Sequence, residues 1–360
     1  MDRKKSVVIS GYYGFNNIGD EAVLSSIVTA LRKHIPNVHI TVLSNAPSQT
    51  KALYGVEAVD RWQIKEIAKV IKASDLLISG GGSLLQDTTS NKVIPYYLGI
   101  VKIAQWYKKP VVFYSQGVGP VAKGLGKWLV KTVGNKVTQI FVRDEGSKML
   151  LESIGVKKAP ITVTIDPVLG IQVKPELVTQ LAPNLVKGKK VGIYIRPWKN
   201  DKELIDKLKE VVKYMVDKGY DIYLMPMYHK EDLNISEELA SRLGEHVHVI
   251  SQEMTIDEVV AYTSQFDFIL GMRLHSLIMA HAVGVPMIGL SYDPKVEGFL
   301  KEVHAPYCVD VHHLNVTRLK EYIDELISHL EEEKQRMNKV NQEKEQKVEL
   351  PAEYIKQLLG

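Results

Sequence analysis

The sequence predicts an α/β protein of two doubly wound domains followed by a C-terminal helical segment. At 360 residues the chain is longer than one hydrophobic core usually serves. Short segments rich in Val and Ile alternate with longer helical patterns, and a proline-spaced stretch, 169–190, separates two such series. Segments that are apolar throughout suit strands covered on both faces, and helices between them imply parallel crossovers.

The predicted first domain covers residues 1–172. Strands and helices alternate in it as a doubly wound sheet requires. The predicted strands lie in "SVVISGYY", "VHITVLS", "DLLISGGG", "KPVVFYSQGVGP" and "QIFVRDE", and the predicted helices lie in "DEAVLSSIVTALRKHI", "IKEIAKVIKAS", "YYLGIVKIAQWY" and "WLVKTVGNKV".

The predicted second domain covers residues 189–316, after a linker over 173–188. Its strands begin with "KKVGIYIRPW", "YDIYLMPMY" and "HVHVIS", and its helices with "KELIDKLKEVVKYMVDKG", "ISEELASRLG" and "TIDEVVAYTSQ". Residues 317–360 are predicted as C-terminal helices, charged at first and apolar enough at the end to dock onto the body. Two such domains are expected to face a cleft, with ligands beyond the carboxyl ends of the strands.

Composition excludes several classes of protein. The chain is 45% hydrophobic and 24% charged, which is typical of a globular protein and not of a disordered or membrane one. A net charge of +4 suits an anionic ligand or membrane surface, and no compact basic run with interleaved aromatics indicates nucleic acid. The single cysteine, Cys308, rules out an intrachain disulfide, and no cluster has metal-ligand spacing, so no metal is expected.

The N-terminus lacks the apolar core of a secretory signal. No apolar run approaches the roughly 20 residues of a membrane-spanning helix. We therefore expect the protein to stay in the cytoplasm.

Glycine-containing loops follow three strands of the first domain. "GYYGFNNIGDEAV" offers a tight turn and a helix cap, which favour an anion site, although the spacing is not that of a dinucleotide fingerprint and a capped turn that binds nothing is the alternative. The triple glycine Gly80–Gly82 costs roughly 0.5–1 kcal/mol per residue relative to alanine, so something is expected to approach its backbone. The predicted substrate-binding residues of these loops are Gly14, Asn17, Asp20, Gly81, Gly82 and Gln116.

Arg143, Arg196 and Arg273 each follow an apolar, strand-like run. A guanidinium group forks onto carboxylate or phosphate oxygens, so several at strand ends imply a ligand with multiple negative charges. For Arg143 the alternative is an ion pair with Asp144 or Glu145. Adjacent residues of a strand point to opposite faces, however, so we expect Arg143 to face the cleft.

The stretch "GMRLHSLIMAHAVGVPMIGL", 271–290, carries Arg273 and His275 but no Asp or Glu. We interpret the missing acid as belonging to the substrate. His275 is the best candidate for a general acid or base because imidazole titrates near neutrality. Ser276, next in the chain, is predicted to bind substrate, while His281 is interpreted as a core residue.

These residues lie in motifs that resemble the polysaccharide pyruvyl transferase family, most closely its bacterial members that act on secondary cell wall polymers. The motifs are "GYYGFNNIGDEAV", "ISGGGSLLQD", "YSQGVGP", "FVRDEGS", "DPVL" and "GMRLHSLIMAHAVGVPMIGLSYDPKVEGF", in order from residue 7 to about 300. The resemblance implies a fold like that of the GT-B glycosyltransferases, with two Rossmann-like domains. It also implies that Arg143, Arg273 and His275 are the catalytic residues.

The resemblance implies transfer of the enolpyruvyl group of phosphoenolpyruvate to N-acetylmannosamine of a cell-wall polysaccharide precursor. The products would be a 4,6-linked pyruvate ketal and phosphate. No cofactor is implied beyond phosphoenolpyruvate as the donor substrate. The expected partners are a lipid-linked glycan precursor and the inner face of the membrane as a peripheral contact, with no nucleic acid.

Two alternatives stay open. One is a GT-B glycosyltransferase that uses a nucleotide sugar, since such enzymes usually hold the ribose through a carboxylate in the second domain. The absence of acids from 271–290 disfavours this alternative, while Glu297 keeps it open. The other is a non-enzymatic protein that binds an anionic glycan.

Overall fold

The computed structural model describes residues 4–88, 90–199 and 201–360. The chain divides into two compact units. The first runs to Gly170 and also includes Lys344–Gly360, and the second is Ile171–Glu343. Each unit is a parallel sheet whose successive strands, apart from β4 and β5 of the first unit, are connected through helices, as the alternation of apolar segments predicts.

The first unit contains an eight-stranded parallel sheet in the order β3-β2-β1-β4-β6-β7-β8, with β5 paired to β6 beside this path. Its strands are β1 (Ser6–Ser10), β2 (His39–Ser44), β3 (Glu57–Asp60), β4 (Leu76–Ser79), β5 (Gly82–Leu85), β6 (Val111–Val118), β7 (Gln139–Val142) and β8 (Ile161–Val163). Its helices are α1 (Ile18–His34), α2 (Pro47–Tyr54), α3 (Ile64–Ala73), α4 (Val93–Trp106), α5 (Gly124–Gly134) and α6 (Glu145–Ile154), with a short 3-10 helix at Pro167–Gly170.

Helices on both faces bury the central strands of this sheet. Every residue of β6 is buried, as a strand with two covered faces requires. On one face, apolar side chains of α3, α4, α5 and α6 share one core with the sheet, for example Ile67, Leu98, Val130 and Leu151. The outer sides of these four helices are consequently the surface of that face.

The second unit contains a six-stranded parallel sheet in the order β11-β10-β9-β12-β13-β14. Its strands are β9 (Lys189–Tyr194), β10 (Tyr220–Leu224), β11 (Val247–Val249), β12 (Phe268–Gly271), β13 (Met287–Ser291) and β14 (Cys308–Asp310). Its helices are α7 (Pro175–Leu181), α8 (Asp201–Asp217), α9 (His229–Ala240), α10 (Ile256–Thr263), α11 (Leu274–Ala282), α12 (Pro294–Glu302) and α13 (Val316–Ser328), with 3-10 turns at Ala182–Asn184 and Val311–His313.

Strand order places a switch point in each sheet. In the first, β1 lies between β2 and β4, and in the second, β9 lies between β10 and β12. The chain therefore builds each sheet first to one side of its opening strand and then to the other. Loops diverge at the carboxyl ends of such strands, and ligands of open parallel sheets bind in the resulting crevice.

Unit boundaries differ from the predicted ones at both ends of the second domain. The predicted linker, 173–188, contains helix α7 and belongs to the second unit. The predicted C-terminal segment, 317–360, is not separate: α13 is part of the second unit, and α14 (Leu330–Leu359) contributes residues to both. The predicted docking of the final residues is confirmed, because the Tyr354 ring meets the Phe141 ring with centroids 5.5 Å apart.

Within the described residues, none of the helices combines the length and the apolar character that a bilayer-spanning segment needs.

Candidate functional site

Two of the predicted arginines meet at the carboxyl edge of the second sheet. Arg196 follows β9 and Arg273 follows β12, and these strands are neighbours. Glu231, in the first turn of α9, lies between them, with its Oε2 3.2 Å from Nη2 of Arg273 and 4.0 Å from Nη2 of Arg196. Two of the three predicted arginines therefore lie around one carboxylate of the second unit.

The acid that neutralises Arg273 comes from the protein itself. Asp232 is fully buried and accepts hydrogen bonds from Nε of Arg273 at 2.7 Å and from its Nη2 at 2.5 Å. Asp232 also accepts from the backbone N–H groups of Met227 and Tyr228. The interpretation that the missing acid belongs to the substrate is therefore wrong for Arg273. The stretch 271–290 contains no acid, but its counter-charge comes from α9, 41 residues earlier in the chain.

This ion pair fixes both the charge and the orientation of Arg273. Burial opposes the charged guanidinium, but the hydrogen bonds and negative charge of Asp232 outweigh that effect and raise the pKa of Arg273 above its ordinary value. The side chain keeps 13% of its surface exposed. Because the two carboxylates occupy Nε and Nη2, a ligand anion would have to bind through Nη1.

Arg196 is held more loosely than Arg273. Its side chain is 28% exposed, and its guanidinium carbon lies 5.1 Å from the centroid of the Tyr292 ring. Nη1 donates to the Tyr292 hydroxyl at 3.3 Å, whereas the buried Nε has no hydrogen-bonding partner among the described residues. Of the two arginines, Arg196 is thus the one whose charge the protein compensates less.

His275 and Ser276 lie in the first turn of α11, where Arg273 is the N-cap residue. The Ser276 hydroxyl, which is buried, donates to the Arg273 carbonyl at 2.6 Å, so a substrate contact from Ser276 would require this bond to be exchanged. His275 is half-buried, one helical turn or less from Arg273. The interpretation of His281 as a core residue is confirmed, since it is fully buried and its ring packs edge-on against Phe299.

In the first unit, Arg143 is not free. Its Nη1 donates to Oδ2 of Asp166 at 2.8 Å, and both side chains are buried. Asp144 is a weaker partner, with its Oδ2 3.8 Å from Nε of Arg143, because its other oxygen caps α6 through the N–H of Ser147. The expectation that Arg143 is unpaired is therefore wrong: a paired carboxylate stabilises its buried guanidinium, and the turn after β8 supplies that carboxylate.

The triple glycine after β4 is explained by the protein's own packing. A Cβ at Gly80 would lie 2.1 Å from the Tyr13 hydroxyl oxygen, and one at Gly81 would lie 2.7 Å from Cγ1 of Val23. Gly82 adopts a positive φ of 82°, which side chains rarely tolerate. The expectation that something approaches this backbone is correct, and the approaching groups include Tyr13 and Val23.

Substitution Gly81→Ala is expected to lower the free energy of unfolding by about 1–3 kcal/mol through overpacking against Val23. Denaturant unfolding would measure the loss. Gly99→Ala is the matched control, because nothing lies within 4 Å of a Cβ at that exposed helical position, and it is expected to be neutral or stabilising. Equal stability of the two variants would instead indicate that Gly81 is kept for a ligand.

The loop after β1 is a capped turn. Gly14 has a positive φ of 77°, and its N–H donates to Oε1 of Glu21 at 2.6 Å, so this N–H is already occupied. Asn17 is the N-cap of α1 and accepts from the N–H of Gly19. Asp20, in the first turn of α1, would lie 3.1 Å from a Cβ at Gly82. The first and second glycine loops therefore meet at the same edge of the sheet.

Gln116 is fully buried on β6 and connects this strand to β4. Its Nε2 donates to the hydroxyl of Ser79 at 2.8 Å and to the carbonyl of Gly80 at 2.9 Å. Its Oε1 is buried without a hydrogen-bonding partner among the described residues. The predicted role of Gln116 in substrate binding stays a prediction.

Sequence reasoning missed Arg61, which follows β3 and is buried. Its Nη1 donates to the carbonyl of Gly11 at 3.0 Å, and among the described residues no carboxylate oxygen forms an ion pair with it. Aromatic rings surround its guanidinium carbon, with centroids at 4.5 to 6.0 Å; they belong to Tyr12, Phe15, Trp62, Tyr96 and Tyr97. Arg61, like the other arginines, directly follows a strand, but the sequence of β3, EAVD, is not the apolar run that selected them.

No group of three or more His, Cys, Asp or Glu side chains that could hold a metal occurs in the described part of the chain. Cys308 is half-buried, and burial raises its pKa to about 11, so its thiol is mostly protonated near neutrality.

Solved structures of similar fold support the two-domain architecture. The chain is similar to UDP-GlcNAc 2-epimerase from Methanocaldococcus jannaschii, with a TM-score of 0.63 and 15% identity over 89% of this chain and 92% of that one. It is also similar to Anabaena HepE in complex with UDP and glucose, with a TM-score of 0.64 and 13% identity over 99% of each chain. At such identities the likeness shows the fold alone, and the predicted GT-B-like class is confirmed.

Similarity of sequence identifies the family. The chain is 23% identical over 274 residues to the amylovoran biosynthesis protein AmsJ of Erwinia amylovora. That match covers 68% of this chain and 63% of AmsJ, so the chain spans less than two thirds of its relative. The profile of a family described as polysaccharide pyruvyl transferase matches residues 17–294, which include Arg143, Arg273 and His275. The chain therefore belongs to the polysaccharide pyruvyl transferase family.

Proposed function

We propose that this protein transfers the enolpyruvyl group of phosphoenolpyruvate to N-acetylmannosamine in a lipid-linked cell-wall glycan precursor. The products are a 4,6-linked pyruvate ketal and inorganic phosphate. Family membership supports pyruvyl transfer to a polysaccharide. The observation that carries the proposal is the position of Arg273 and His275 within one turn at the start of α11, beyond the carboxyl end of β12.

Phosphoenolpyruvate presents a carboxylate and a phosphate, and the second unit offers cations for both. Arg196, whose charge the protein compensates less, is the candidate to bind the carboxylate. Nη1 of Arg273 is the candidate to bind the phosphate. The N–H groups of the first turn of α11 add partial positive charge beside Arg273. Together they support a dianionic ligand at this edge of the sheet.

Ketal formation adds one proton to carbon and removes one from each of two hydroxyls, and the surplus proton leaves with the phosphate. A proton is added to the methylene carbon C3, one sugar hydroxyl attacks C2, and the second hydroxyl attacks C2 as phosphate departs. Each hydroxyl loses its proton as it attacks. We assign the proton transfer to His275, because a positioned imidazole can both give and accept a proton near neutrality, a contribution of typically about 10²–10⁴ in rate.

We place the acceptor on the first unit, whose carboxyl edge carries Arg143, Gln116 and the glycine loops. Arg143 is fixed by Asp166, so it would contact a ligand in one orientation only. The unsatisfied Oε1 of Gln116 suits a hydroxyl donor of a sugar. If a lipid carries the acceptor, the enzyme would act at the inner face of the membrane as a peripheral protein that does not span the bilayer.

One observation favours a second candidate, a glycosyltransferase that uses a nucleotide sugar. Glu297, in the first turn of α12, accepts a hydrogen bond from Ser291 at 2.9 Å and so stands at the carboxyl end of β13. A carboxylate there could hold a ribose. The likeness to HepE with UDP and glucose concerns the fold and does not decide between the two candidates.

Phosphoenolpyruvate at 100 times its dissociation constant is expected to stabilise the protein by about 2.7 kcal/mol, whereas UDP-sugars are not. Thermal melting would detect the difference, with equal concentrations of pyruvate and of inorganic phosphate as ionic controls. Turnover is then tested with phosphoenolpyruvate and a synthetic N-acetylmannosamine glycoside, by phosphate release and by the mass of the product. Stabilisation by UDP-sugars alone, without phosphate release, would support the second candidate instead.

A further inference from the structure

The first unit contains a long stretch of sequence without acidic residues. The chain has 42 acidic residues, and none of them lies between Thr88 and Val142. The same stretch contains eight lysines, namely Lys92, Lys102, Lys108, Lys109, Lys123, Lys127, Lys131 and Lys136. With a net charge of only +4 over the whole chain, this stretch is far more basic than the remainder.

Helices α4 and α5 of this stretch lie side by side and run in the same direction. Near their N-termini, a Cβ at Gly126 of α5 would lie 3.1 Å from Cδ1 of Ile94 of α4. Near their C-termini, Nε2 of Gln105 donates to the carbonyl of Val133 at 3.1 Å. The two helices therefore present one continuous outer surface, which we call the α4–α5 face.

Apolar side chains project from the α4–α5 face into solvent. Trp106, at the end of α4, is 85% exposed, and Leu125 and Trp128 of α5 are 64% and 59% exposed. Isolated exposed apolar residues are ordinary, but here two tryptophans and a leucine are exposed on adjacent helices, Leu125 and Trp128 toward the N-terminal end of the face and Trp106 at its C-terminal end. Tyr107, directly after Trp106, is also exposed.

Exposed lysines surround these apolar side chains. Lys102 lies one turn before Trp106 on the outer side of α4, and Lys127 precedes Trp128 on α5. Lys108 and Lys123 are exposed at the two ends of the face. Tryptophan and tyrosine with a basic surround are the side chains that favour the interface between lipid headgroups and acyl chains.

We propose that the α4–α5 face binds the surface of an anionic lipid bilayer, with Trp106, Leu125 and Trp128 inserted at headgroup level. Helices α4 and α5 contain no acidic residue, and the carboxylate of Asp87 beside the start of α5 is buried and accepts hydrogen bonds from the N–H groups of Ala122 and Lys123. The face is therefore complementary to anionic headgroups, and its exposed apolar side chains favour a lipid surface over nucleic acid. The proposal extends the lipid-carried acceptor of the proposed function. It rests, however, on the composition of the α4–α5 face and not on the catalytic site, so its test needs no substrate.

Sedimentation with phosphatidylcholine–phosphatidylglycerol vesicles tests the proposal. The protein is expected to bind these vesicles at low salt, to bind phosphatidylcholine vesicles at least about tenfold more weakly, and to be released at about 1 M salt, where the screening length is about 3 Å. Lys102→Gln/Lys108→Gln/Lys127→Gln should weaken binding at least about tenfold, since each lysine near an anionic surface contributes roughly fivefold. Lys187→Gln/Lys202→Gln/Lys213→Gln, in the second unit, removes the same charge from exposed positions and should leave binding unchanged.

Trp106→Ser/Trp128→Ser is expected to weaken vesicle binding at least about tenfold and to abolish the blue shift of tryptophan fluorescence that vesicles induce. Both positions are exposed, so the melting temperature should stay within a few degrees of that of the parent protein. Turnover of a water-soluble glycoside should also be unchanged. Loss of membrane binding can therefore be distinguished from loss of the proposed enzymatic activity.

Three results would overturn the proposal. The first is absence of vesicle binding, and the second is equal binding by the α4–α5 triple variant and the control triple variant. The third is a dimer in the absence of lipid that dissociates in Trp106→Ser/Trp128→Ser, because this face would then be an interface between two copies of the chain. Analytical ultracentrifugation distinguishes that last case.

Discussion

Replacing Asp232 by asparagine is expected to lower the free energy of unfolding by about 3–5 kcal/mol, the range typical for breaking a buried ion pair from one side. Asp232 is fully buried, and it is the main counter-charge of Arg273. Asparagine has nearly the same shape but no charge, and its amide group would face the N–H groups of Met227 and Tyr228 or the guanidinium of Arg273. The guanidinium would stay largely buried without a full counter-charge.

Denaturant unfolding of the parent and variant proteins measures this loss. Glu231→Gln is the matched control, because Glu231 also contacts Arg273 but is 47% exposed, and exposed ion pairs contribute about 0–1 kcal/mol. Arg273→Gln/Asp232→Asn should recover part of the loss, since it removes both charges together. If Asp232→Asn were no more destabilising than Glu231→Gln, the buried pair would not be what holds α9 against the end of β12.

The position of Arg273 could be predicted from the sequence, but its ion-pair partner Asp232 could not. Carboxyl ends of neighbouring parallel strands meet whatever the loops contain, so a position after an apolar run was enough to bring Arg196 and Arg273 together. The partner of Arg273 comes from a helix 41 residues away. Such a contact depends on how α9 packs, and no pattern within 271–290 carries that information.

In the first unit, Arg143 also has a partner that is distant in sequence. The sequence offered Asp144 or Glu145 only as alternative partners and favoured an Arg143 that faces the cleft, whereas the stronger partner is Asp166, 23 residues away after the adjacent strand β8. Both residues stood in motifs that the sequence had singled out, "FVRDEGS" and "DPVL". Knowing that β7 and β8 are paired would have predicted the ion pair.

Glycine-rich loops were interpreted correctly as close approaches of the backbone, but the approaching group was not identified. At Gly80 and Gly81 it includes Tyr13 and Val23, which belong to the first loop and to α1. Side-chain packing of this kind has no local signature. Arg61 was missed for another reason: β3 is only four residues long and begins and ends with an acid, so its apolar character is weak.

The alternation of elements predicted both sheets because it depends on local periodicity, which the sequence carries directly. It could not predict that the last helix belongs to both units. Residues of α14 up to Glu343 lie in the second unit and those from Lys344 in the first, and the charged sequence of this helix contains no break at that point. Unit membership is decided by tertiary contacts such as that of Tyr354 with Phe141.

Replacing His275 by glutamine is expected to lower kcat by about 10²–10⁴ while changing the affinity for phosphoenolpyruvate much less. Glutamine can donate and accept hydrogen bonds but cannot carry a proton between the hydroxyl and the methylene carbon. His275 lies in the first turn of α11, two residues after Arg273, so a phosphate bound at Nη1 of that arginine would be close to the imidazole. His275→Ala should lose as much, because in neither variant can the side chain titrate near neutrality.

Steady-state kinetics with phosphoenolpyruvate and the synthetic glycoside separate the two effects, since a proton carrier acts on kcat and a binding residue acts mainly on KM. His313→Gln is the matched control: it makes the same change at an exposed position of the same unit and should leave both constants unaltered. Retention of more than about a tenth of kcat by His275→Gln, a loss of under about 1.4 kcal/mol, would mean that the histidine positions the substrate. The proton would then have another carrier, and the Arg273–His275 pair would be a binding site only.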